Sequence, residues 1–396
     1  MEQHNADLFR LLSNPSFLLR IEKFPPEYAA QLHFTPDALG HGARSEILLN
    51  KKALYFKFFK PNHDLINGLI GDTLHWLEKL AACSGTELEA IYHATCILLL
   101  VTNDHHTILG VHKLIVYQMV ADPVFIETEF SLLQNYLLCN LDKINKSSTL
   151  WLMYKKVVVI RIANGQDATS FLDSLLATIK GSGESHYQSY YAWEFCSWLS
   201  CLFRHLGSTG VPEGPRYETA VREIYAAVSE FCHSHPRDHS AWTCLGNVVM
   251  PSERKLTQAV LETMQCLRDC APSGFHSVME KPGPRKGIGF LGEILLEVTW
   301  ISKYALNQSS SGFIKSMVVQ VAGLPKLLGV LSDRLESLKL ESPLLGGLLE
   351  SVVFTNGYWD VMGVPVFDDD LISKAKMSDM VELYRLVEWL KRFATS

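Results

Sequence analysis

Apolar residues recur at helical spacing through much of the first 270 residues, and three tryptophans divide this region into similar segments. Each segment has a small or polar residue, then a large apolar residue, then a helix with an apolar stripe. Leu109, Trp151, Trp193 and Trp242 hold the equivalent position, at intervals of 42, 42 and 49 residues. Near-regular intervals of this length are typical of stacked helical repeats. The pattern therefore predicts one helix-pair unit used four times.

A second helical stripe precedes each of these positions, and the four stripes are led by Leu88, Phe130, Phe171 and Val221. The apolar stripe of one helical hairpin can be covered only by neighbouring hairpins, which is the condition for a solenoid. We therefore predict an all-α fold, a right-handed superhelical solenoid of stacked helical hairpins. The tryptophans at the repeat positions, together with Trp198, are expected to be packing residues because indole rings bury a large apolar surface.

Breaker residues predict the domain boundaries. We expect an N-terminal extension over residues 1–75, the helical repeats over 76–270, a flexible loop over 271–289 and a C-terminal helical region over 290–396. The loop holds three prolines and four glycines. Residues 47–59 are rich in strand formers but could equally open a helix. Helical patterns continue over 290–306, 312–340, 343–354 and 379–393.

Composition excludes several classes of protein. The net charge of −6 gives no basic field that would gather nucleic acid. No apolar stretch approaches the ~20 residues of a membrane span, and the N-terminus has no signal-peptide pattern. Nine cysteines scattered through apolar stretches indicate reduced, mostly buried thiols. We therefore expect a cytoplasmic protein with no transmembrane segment and no nucleic-acid partner.

One cluster of candidate metal ligands contains Cys232, His233, His235 and His239. Structural zinc sites usually bring two pairs of ligands at defined spacing, and this set is irregular with no second pair. The simpler interpretation is the end of one helix followed by the capped start of the next, with Asp238 or Ser240 as the cap. We therefore predict no metal site on this chain.

Residues 43–250 resemble the protein prenyltransferase α-subunit repeats. Leu99–Thr107 (LLVTNDHHT) is similar to that family's leucine run, Asn-Pro-Asp and threonine-rich helix start. The upstream Ala43–Leu49 (ARSEILL) is most similar to its type III geranylgeranyltransferase branch. The chain departs from the family pattern where arginine usually stands three residues after the tryptophan. These positions hold His112, Tyr154, Cys196 and Leu245, and the first repeat has leucine in place of tryptophan.

The resemblance implies a heterodimer. A type II geranylgeranyltransferase β subunit would carry the zinc and the isoprenoid pocket, and this chain would hold no cofactor. Lys146, five residues before Trp151, would be a candidate contact to the isoprenoid diphosphate, since a cation stabilises charge on a leaving group. The alternative is a solvated lysine in a turn. Tyr190 and Tyr191 would lie at the rim facing the substrate or the β subunit.

Two functions follow as hypotheses. The first is an α-type subunit of a protein geranylgeranyltransferase, recognising a protein substrate such as an already farnesylated longin-type SNARE, with the active site mainly on the β subunit. The second is a non-enzymatic helical-repeat scaffold for protein–protein interaction, which the missing repeat arginines favour. Neither hypothesis assigns a role to residues 271–396.

Overall fold

The structure is a computed structural model. It describes residues 2–22, 45–71, 76–102, 104–209, 214–268, 290–304, 308–318, 352–355 and 358–361, with single positions at 279, 329, 332–333 and 386. The described chain is mostly helical, as the periodicity predicts. It forms two compact units, one of residues 1–217 with 257–284 and the other of residues 218–256 with 285–396. The boundaries predicted at 75, 270 and 289 remain predictions, and nearly all of 271–289 lies outside the described residues.

The first unit begins with helix α1 and strands β1 and β2, followed by α2, a π-helical turn, α3 and α4. Their bounds are α1 Glu2–Leu12, β1 Phe17–Glu22, β2 Ser45–Asn50, α2 Lys51–Leu54, the π-helical turn Tyr55–Phe59, α3 Lys60–Ile70 and α4 Trp76–Ala82. The two strands pair in parallel, from Phe17 opposite Ser45 to Glu22 opposite Asn50. Residues 47–59 therefore contain both of the structures left open by the sequence, a strand followed by a helix.

Three consecutive helix pairs make up most of the rest of the first unit. They are α5 Gly85–Val101 with α6 His106–Gln118, α7 Pro123–Leu137 with α9 Ser148–Ala163, and α10 Leu172–Ser185 with α11 Tyr190–Ser208. The short helix α8 Asp142–Asn145 and the 3₁₀ turn Ala168–Phe171 lie in the connections. The members of each pair pack on each other. The helices predicted around the first three repeat positions are confirmed.

Local sequence explains where these helices start. Ser84 and Glu87 form a capping box at α5, in which each side chain bonds the other residue's backbone N–H. Asp122 caps α7 ahead of Pro123, and Ser147 caps α9. Each cap satisfies N–H groups that have no partner within the helix. The repeat boundaries therefore follow from polar residues placed immediately before apolar stripes.

The N-terminal segment is fastened to α7 and to the residues just after it by two asparagines. Asn135 donates to the carbonyl oxygens of Leu12 (2.7 Å) and Asn14 (3.0 Å). Asn140 accepts a hydrogen bond from the Ile21 backbone N–H at 2.8 Å. These bonds satisfy backbone groups at the end of α1 and along β1, so the first 22 residues form part of the core of the first unit.

The second unit contains most of α12 Gly214–Ser234, then α13 His239–Val249, α15 Leu291–Tyr304 and α16 Gln308–Val318. Helix α14 Glu253–Arg268 begins in this unit and continues in the first. Asp238, one of the two predicted caps of α13, accepts hydrogen bonds from the backbone N–H groups of Ser240 and Ala241. Trp242 packs against Phe313 of α16, with ring centroids 5.6 Å apart and planes inclined at 48°.

Two small sheets accompany the helices of this mostly helical chain, which agrees with the all-α class in its coarse form. One is the parallel β1–β2 pair of the first unit. The other is an antiparallel pair in the second unit, β3 Val352–Thr355 with β4 Tyr358–Val361. The second pair corrects the helical pattern assigned to 343–354 at residues 352–354, and it places two strands within the predicted C-terminal helical region at 290–396. The predicted helix at 379–393 lies outside the described residues except at Leu386.

The described cysteines agree with the expectation of reduced, mostly buried thiols. Seven of the eight described cysteines are buried and free, and Cys83 is half-buried. No described helix combines the length and the apolar character that a membrane span requires. The cytoplasmic location remains a prediction.

Candidate functional site

The repeat-position residues lie mainly in the core. Trp151, Trp193, Trp198 and Trp242 are all buried, whereas Leu109 is half-buried and its neighbour Ile108 is fully enclosed. The indole N–H of Trp151 donates to the carbonyl of Asn145 at 2.8 Å, and that of Trp242 to the carbonyl of Pro236 at 2.9 Å. Each ring therefore fills part of the core and also links its own helix, α9 or α13, to the turn that precedes that helix.

The turns before α6, α9 and α11 are linked to one another along one edge of the first unit. Asp104, before α6, accepts hydrogen bonds from Ser147 and Thr149 at the start of α9, at 3.0 Å each. Lys146, before α9, donates to the carbonyl of Tyr187, before α11, at 3.2 Å. Each repeat turn is thus bonded to the turn of the next repeat.

Lys146 fits the interpretation of a lysine held in a turn. Besides the Tyr187 carbonyl, its ammonium group lies 3.7 Å from the Asp142 carboxylate one helical turn earlier. The side chain is 37% exposed. An exposed pair of this kind contributes little to stability, so the main effect of Lys146 is to position the turn that carries Tyr187.

Three tyrosines are exposed at this edge, which we call the tyrosine edge (Tyr187, Tyr190 and Tyr191). Their exposed fractions are 61%, 58% and 39%, whereas most large apolar side chains of the described residues are covered. The rings of Tyr190 and Tyr191 meet edge to face at 5.5 Å. Between them and Tyr187 lies Gln188, whose φ of 56° is the left-handed conformation that non-glycine residues rarely adopt. The fold thus maintains a strained turn next to solvent-exposed aromatic rings.

A second group of polar side chains is completely enclosed between α5, α6 and α7. His112 and Glu129 have no exposed surface, and the imidazole Nε2 lies 3.0 Å from Glu129 Oε1. Tyr92 donates its hydroxyl proton to Glu129 Oε2 at 2.6 Å. Thr95 lies 3.0 Å from His112 Nδ1. We call these four residues the buried histidine cluster.

Hydrogen-bond directions fix the protons of the buried histidine cluster. Thr95 donates its single hydroxyl proton to the carbonyl oxygen of Tyr92 at 2.8 Å. The Thr95 oxygen therefore accepts a hydrogen bond from Nδ1 of His112. One proton then remains between Nε2 and Glu129 Oε1. The cluster is neutral overall whether that proton belongs to the imidazole or to the carboxyl group. Burial, and secondarily the Glu129 charge, raise the pKa of Tyr92 well above its ordinary value, so the phenol remains a donor.

A metal ion fits this cluster poorly. Cys96, His112 and Glu129 each offer one ligand atom, and these atoms lie within 4.8 Å of one another. However, the Cys96 sulfur faces Nδ1 at 4.0 Å, whereas Glu129 faces Nε2 on the opposite side of the ring. Both ring nitrogens already have hydrogen-bond partners. Burial also raises the pKa of Cys96 well above its ordinary value, which favours the thiol over the thiolate that binds metals.

The histidine-rich segment near residue 235 is divided among separate contacts. His233 Nε2 lies 2.8 Å from the Glu297 carboxylate, His235 stacks on Phe231 with ring centroids 4.1 Å apart, and Cys232 is buried. Asp238 serves as the helix cap. The structure therefore does not bring Cys232, His233 and His235 together around one point.

The sequence did not reveal the two groups of polar side chains that surround the carboxylates of Glu129 and Glu297. Glu129 occupies the buried stripe of α7 immediately before Phe130, and Glu297 occupies the buried side of α15. A glutamate within an apolar stripe could have indicated each cluster, because glutamate is almost never buried without a hydrogen-bond or charge partner. The partners could not be identified, since they are up to 72 residues away in sequence.

Alkaline pH is expected to destabilise the protein through its buried thiols. Burial raises the pKa of Cys139 from 9.0 to about 12. The unfolded chain loses this proton near pH 9 and the folded chain only near pH 12, so stability falls as pH rises through this window. Cys139→Ala should flatten the slope of unfolding free energy against pH by up to ~1.4 kcal/mol per unit.

Urea unfolding at intervals between pH 8.5 and 11 measures that slope. Cys83→Ala is the matched control, since this thiol is only half-buried. The comparison uses the slope of unfolding free energy against pH. A pH-independent loss of stability from the missing sulfur therefore does not affect the result. Equal slopes for wild type and Cys139→Ala would contradict the assignment.

Comparison with known proteins identifies two adjacent matches. Residues 14–139 match the model of the ECM9 N-terminal domain, and residues 150–270 match the model of the ECM9 middle domain. A curated relative, Protein ECM9 of Saccharomyces cerevisiae, is 27% identical over 225 residues, which is 55% of this chain and 52% of the relative. The match thus spans about half the length of that relative.

These matches correct the prenyltransferase identification. The ECM9 models cover the same region, residues 43–250, on which the resemblance was based, and no prenyltransferase α-subunit family is found for the chain. The expected geranylgeranyl transfer, the zinc-bearing β subunit and the farnesylated SNARE substrate rested on that resemblance and are corrected with it. The diphosphate contact assigned to Lys146 and the rim position assigned to Tyr190 and Tyr191 are not tested by these matches and remain predictions.

Proposed function

We propose that this chain is an ECM9-type protein that acts by binding another protein through the tyrosine edge. Matches to both ECM9 domains support the family. The function rests on one observation, the exposure of Tyr187, Tyr190 and Tyr191 together at a fixed turn. Tyrosine is enriched in protein interfaces because its ring supplies apolar area while its hydroxyl remains hydrated before binding.

The construction of the turn supports this function. Gln188 adopts a strained backbone conformation that costs of order 1–3 kcal/mol, and such strain is concentrated at functional positions. Lys146 bonds the Tyr187 carbonyl, and Ser189 is buried against Ser182 with their oxygens 3.0 Å apart. These contacts hold the three rings in place before any partner arrives, which lowers the entropy cost of binding.

The helix pairs of the first unit supply a rigid support. We propose that α5 to α11 stack as a right-handed superhelical solenoid, because each pair packs on itself and successive turns are bonded through Asp104 and Lys146. Solenoids of this kind commonly present extended binding surfaces. The buried histidine cluster does not suggest catalysis, since the side chains of His112 and Glu129 have no exposed surface.

Site-specific cross-linking tests the binding function. A photoreactive amino acid placed at Tyr190 in cells of the source organism should capture a protein that is not captured from Val124, an exposed apolar position on α7. The captured protein is then purified and its affinity for this chain measured. Replacing the three tyrosines with serine should weaken that affinity ~10-fold or more, whereas Val124→Ser should not change it.

Stability separates loss of binding from loss of folding. The triple serine variant should unfold within about 0.5 kcal/mol of wild type per exposed substitution. The proposal fails if the triple variant binds the captured protein as tightly as wild type, or if no product is specific to the Tyr190 probe.

A further inference from the structure

One face of α12 converges on a single buried carboxylate of α15. Tyr225, Ser229 and His233 stand on successive turns of α12, and all three contact Glu297. The Glu297 side chain is only 3% exposed. One turn away, Arg222 pairs with Glu293 at 2.9 Å. A buried carboxylate is costly unless hydrogen bonds or a cation compensate for its lost hydration.

The two oxygens of Glu297 have different partners. Oε1 accepts hydrogen bonds from the hydroxyls of Tyr225, at 2.8 Å, and Ser229. Oε2 lies 2.8 Å from His233 Nε2. Two donors already occupy Oε1, so His233 is the partner that can neutralise the carboxylate by carrying a second proton.

His233 is open to solvent, unlike His112 in the buried histidine cluster. Its side chain is 32% exposed, whereas that of His112 is fully enclosed with both ring nitrogens bonded to protein. The His233 ring also stacks on Trp300 of α15, with centroids 3.8 Å apart and planes 15° apart. A charged imidazole gains from the face of an indole ring as well as from a carboxylate.

Two titratable groups beside this contact, Tyr225 and Cys232, stay protonated near neutral pH. Burial, and then the Glu297 charge, raise the pKa of Tyr225 above its ordinary value. Burial, followed by nearby Cys244, Glu297 and Asp238, raises the pKa of Cys232 well above its ordinary value. Arg222 and Glu293 neutralise each other. The remaining variable is the proton of His233.

We propose that protonation of His233 controls how firmly α15 is held against α12. With the proton, the contact combines an ion pair with a stacked cation. Without it, a buried carboxylate depends on neutral donors alone. Imidazole is the side chain whose ordinary titration falls between pH 5 and 8. The α12–α15 contact therefore tightens as pH falls through that range and loosens as pH rises.

Hydrogen exchange of the full-length protein tests this switch. Rates for peptides within 291–300 are measured at pH 5.5 and pH 8.0 and corrected for intrinsic exchange. The opening constant of α15 should be roughly tenfold larger at pH 8.0, because a hydrogen bond from a neutral donor to a carboxylate is weaker than one from a charged donor. Peptides of α6 and α7, around the enclosed His112, should show no comparable ratio and serve as the internal control.

Two variants make the result specific. His233→Gln keeps a donor for Glu297 but cannot titrate, so its ratio between the two pH values should fall close to one. Ser229→Ala removes a non-titrating donor, so it should raise exchange at both pH values while keeping the tenfold ratio. If His233→Gln does not fold, Glu297→Gln replaces it. This variant removes the carboxylate charge that pairs with His233, so its ratio between the two pH values should also fall close to one. A wild-type ratio near one, or a tenfold ratio that persists in His233→Gln or Glu297→Gln, overturns the proposal.

Discussion

Replacing Glu129 with leucine is expected to lower the free energy of unfolding by about 3 to 5 kcal/mol. Leucine offers no hydrogen bond, so the Tyr92 hydroxyl and the Nε2 side of His112 lose their partner in a site with no exposed surface. Each buried polar group left unsatisfied costs about 1–3 kcal/mol. Urea denaturation followed by far-ultraviolet circular dichroism measures the loss.

Glu129→Gln is the matched control, and the proton assignment makes its outcome specific. The glutamine oxygen can accept from Tyr92, and its amide N–H can donate to Nε2 of a neutral imidazole. His112 Nδ1 still donates to Thr95. Every hydrogen bond of the cluster is retained, so this variant should lose less than about 2 kcal/mol. Equal losses for leucine and glutamine would show that the carboxylate charge, rather than the hydrogen-bond pattern, maintains the cluster.

Trp151→Ala is expected to cost a similar amount, about 3 to 5 kcal/mol. The indole ring is buried between α9 and α11, with its centroid 5.5 Å from that of Phe195 and 6.0 Å from that of Tyr154. Alanine leaves a cavity of nearly the whole ring at the contact between two repeats. Hydrogen exchange should therefore accelerate in both α9 and α11, and urea denaturation gives the magnitude.

Two substitutions separate the contributions at this position. Trp151→Phe keeps most of the apolar contact but removes the bond to the Asn145 carbonyl, so it should cost about 1–2 kcal/mol. Leu152→Ala alters the adjacent, half-exposed position and should cost less than about 1 kcal/mol. If Trp151→Ala and Leu152→Ala proved equally mild, the tryptophan would not be a packing residue of the repeat.

The sequence predicted the helices well because their signals are local. An apolar stripe at helical spacing, with Ser84, Asp122, Ser147 or Asp238 immediately before it, defines a helix within one window of the chain. The predicted family was wrong. Spaced tryptophans and a leucine run occur in many helical proteins, so they predicted the helices correctly and assigned the wrong family.

Two local signals were read incorrectly or left open. Asn356-Gly357 lies between β3 and β4 in the sequence and is typical of a two-residue hairpin turn, yet 343–354 was predicted to be helical. The strand formers at 47–59 remained ambiguous because residues 17–22, the partner of β2, lie far earlier in the chain. Pairing of distant strands is not encoded in any short window.

The polar clusters could not have been assembled from sequence. Tyr92, His112 and Glu129 come from three helices, and each occurs within a stretch that otherwise reads as apolar core. Their chemistry depends on distances near 3 Å, which only the packing of those helices determines. The same holds for Glu297, whose three donors follow from the rotation of α12 against α15.

The fastening of the first 22 residues by Asn135 and Asn140 also bears on how the protein is made. Ile21 and Asn140 are separated by 119 residues, and ribosomes add about 5–20 residues per second. The first strand therefore waits roughly 6 to 24 seconds after its synthesis before its asparagine partner has been added. During that interval the apolar side chains Leu8, Leu12, Leu19 and Ile21 lack their final cover. A nascent chain therefore exposes this apolar surface until Asn140 has been added.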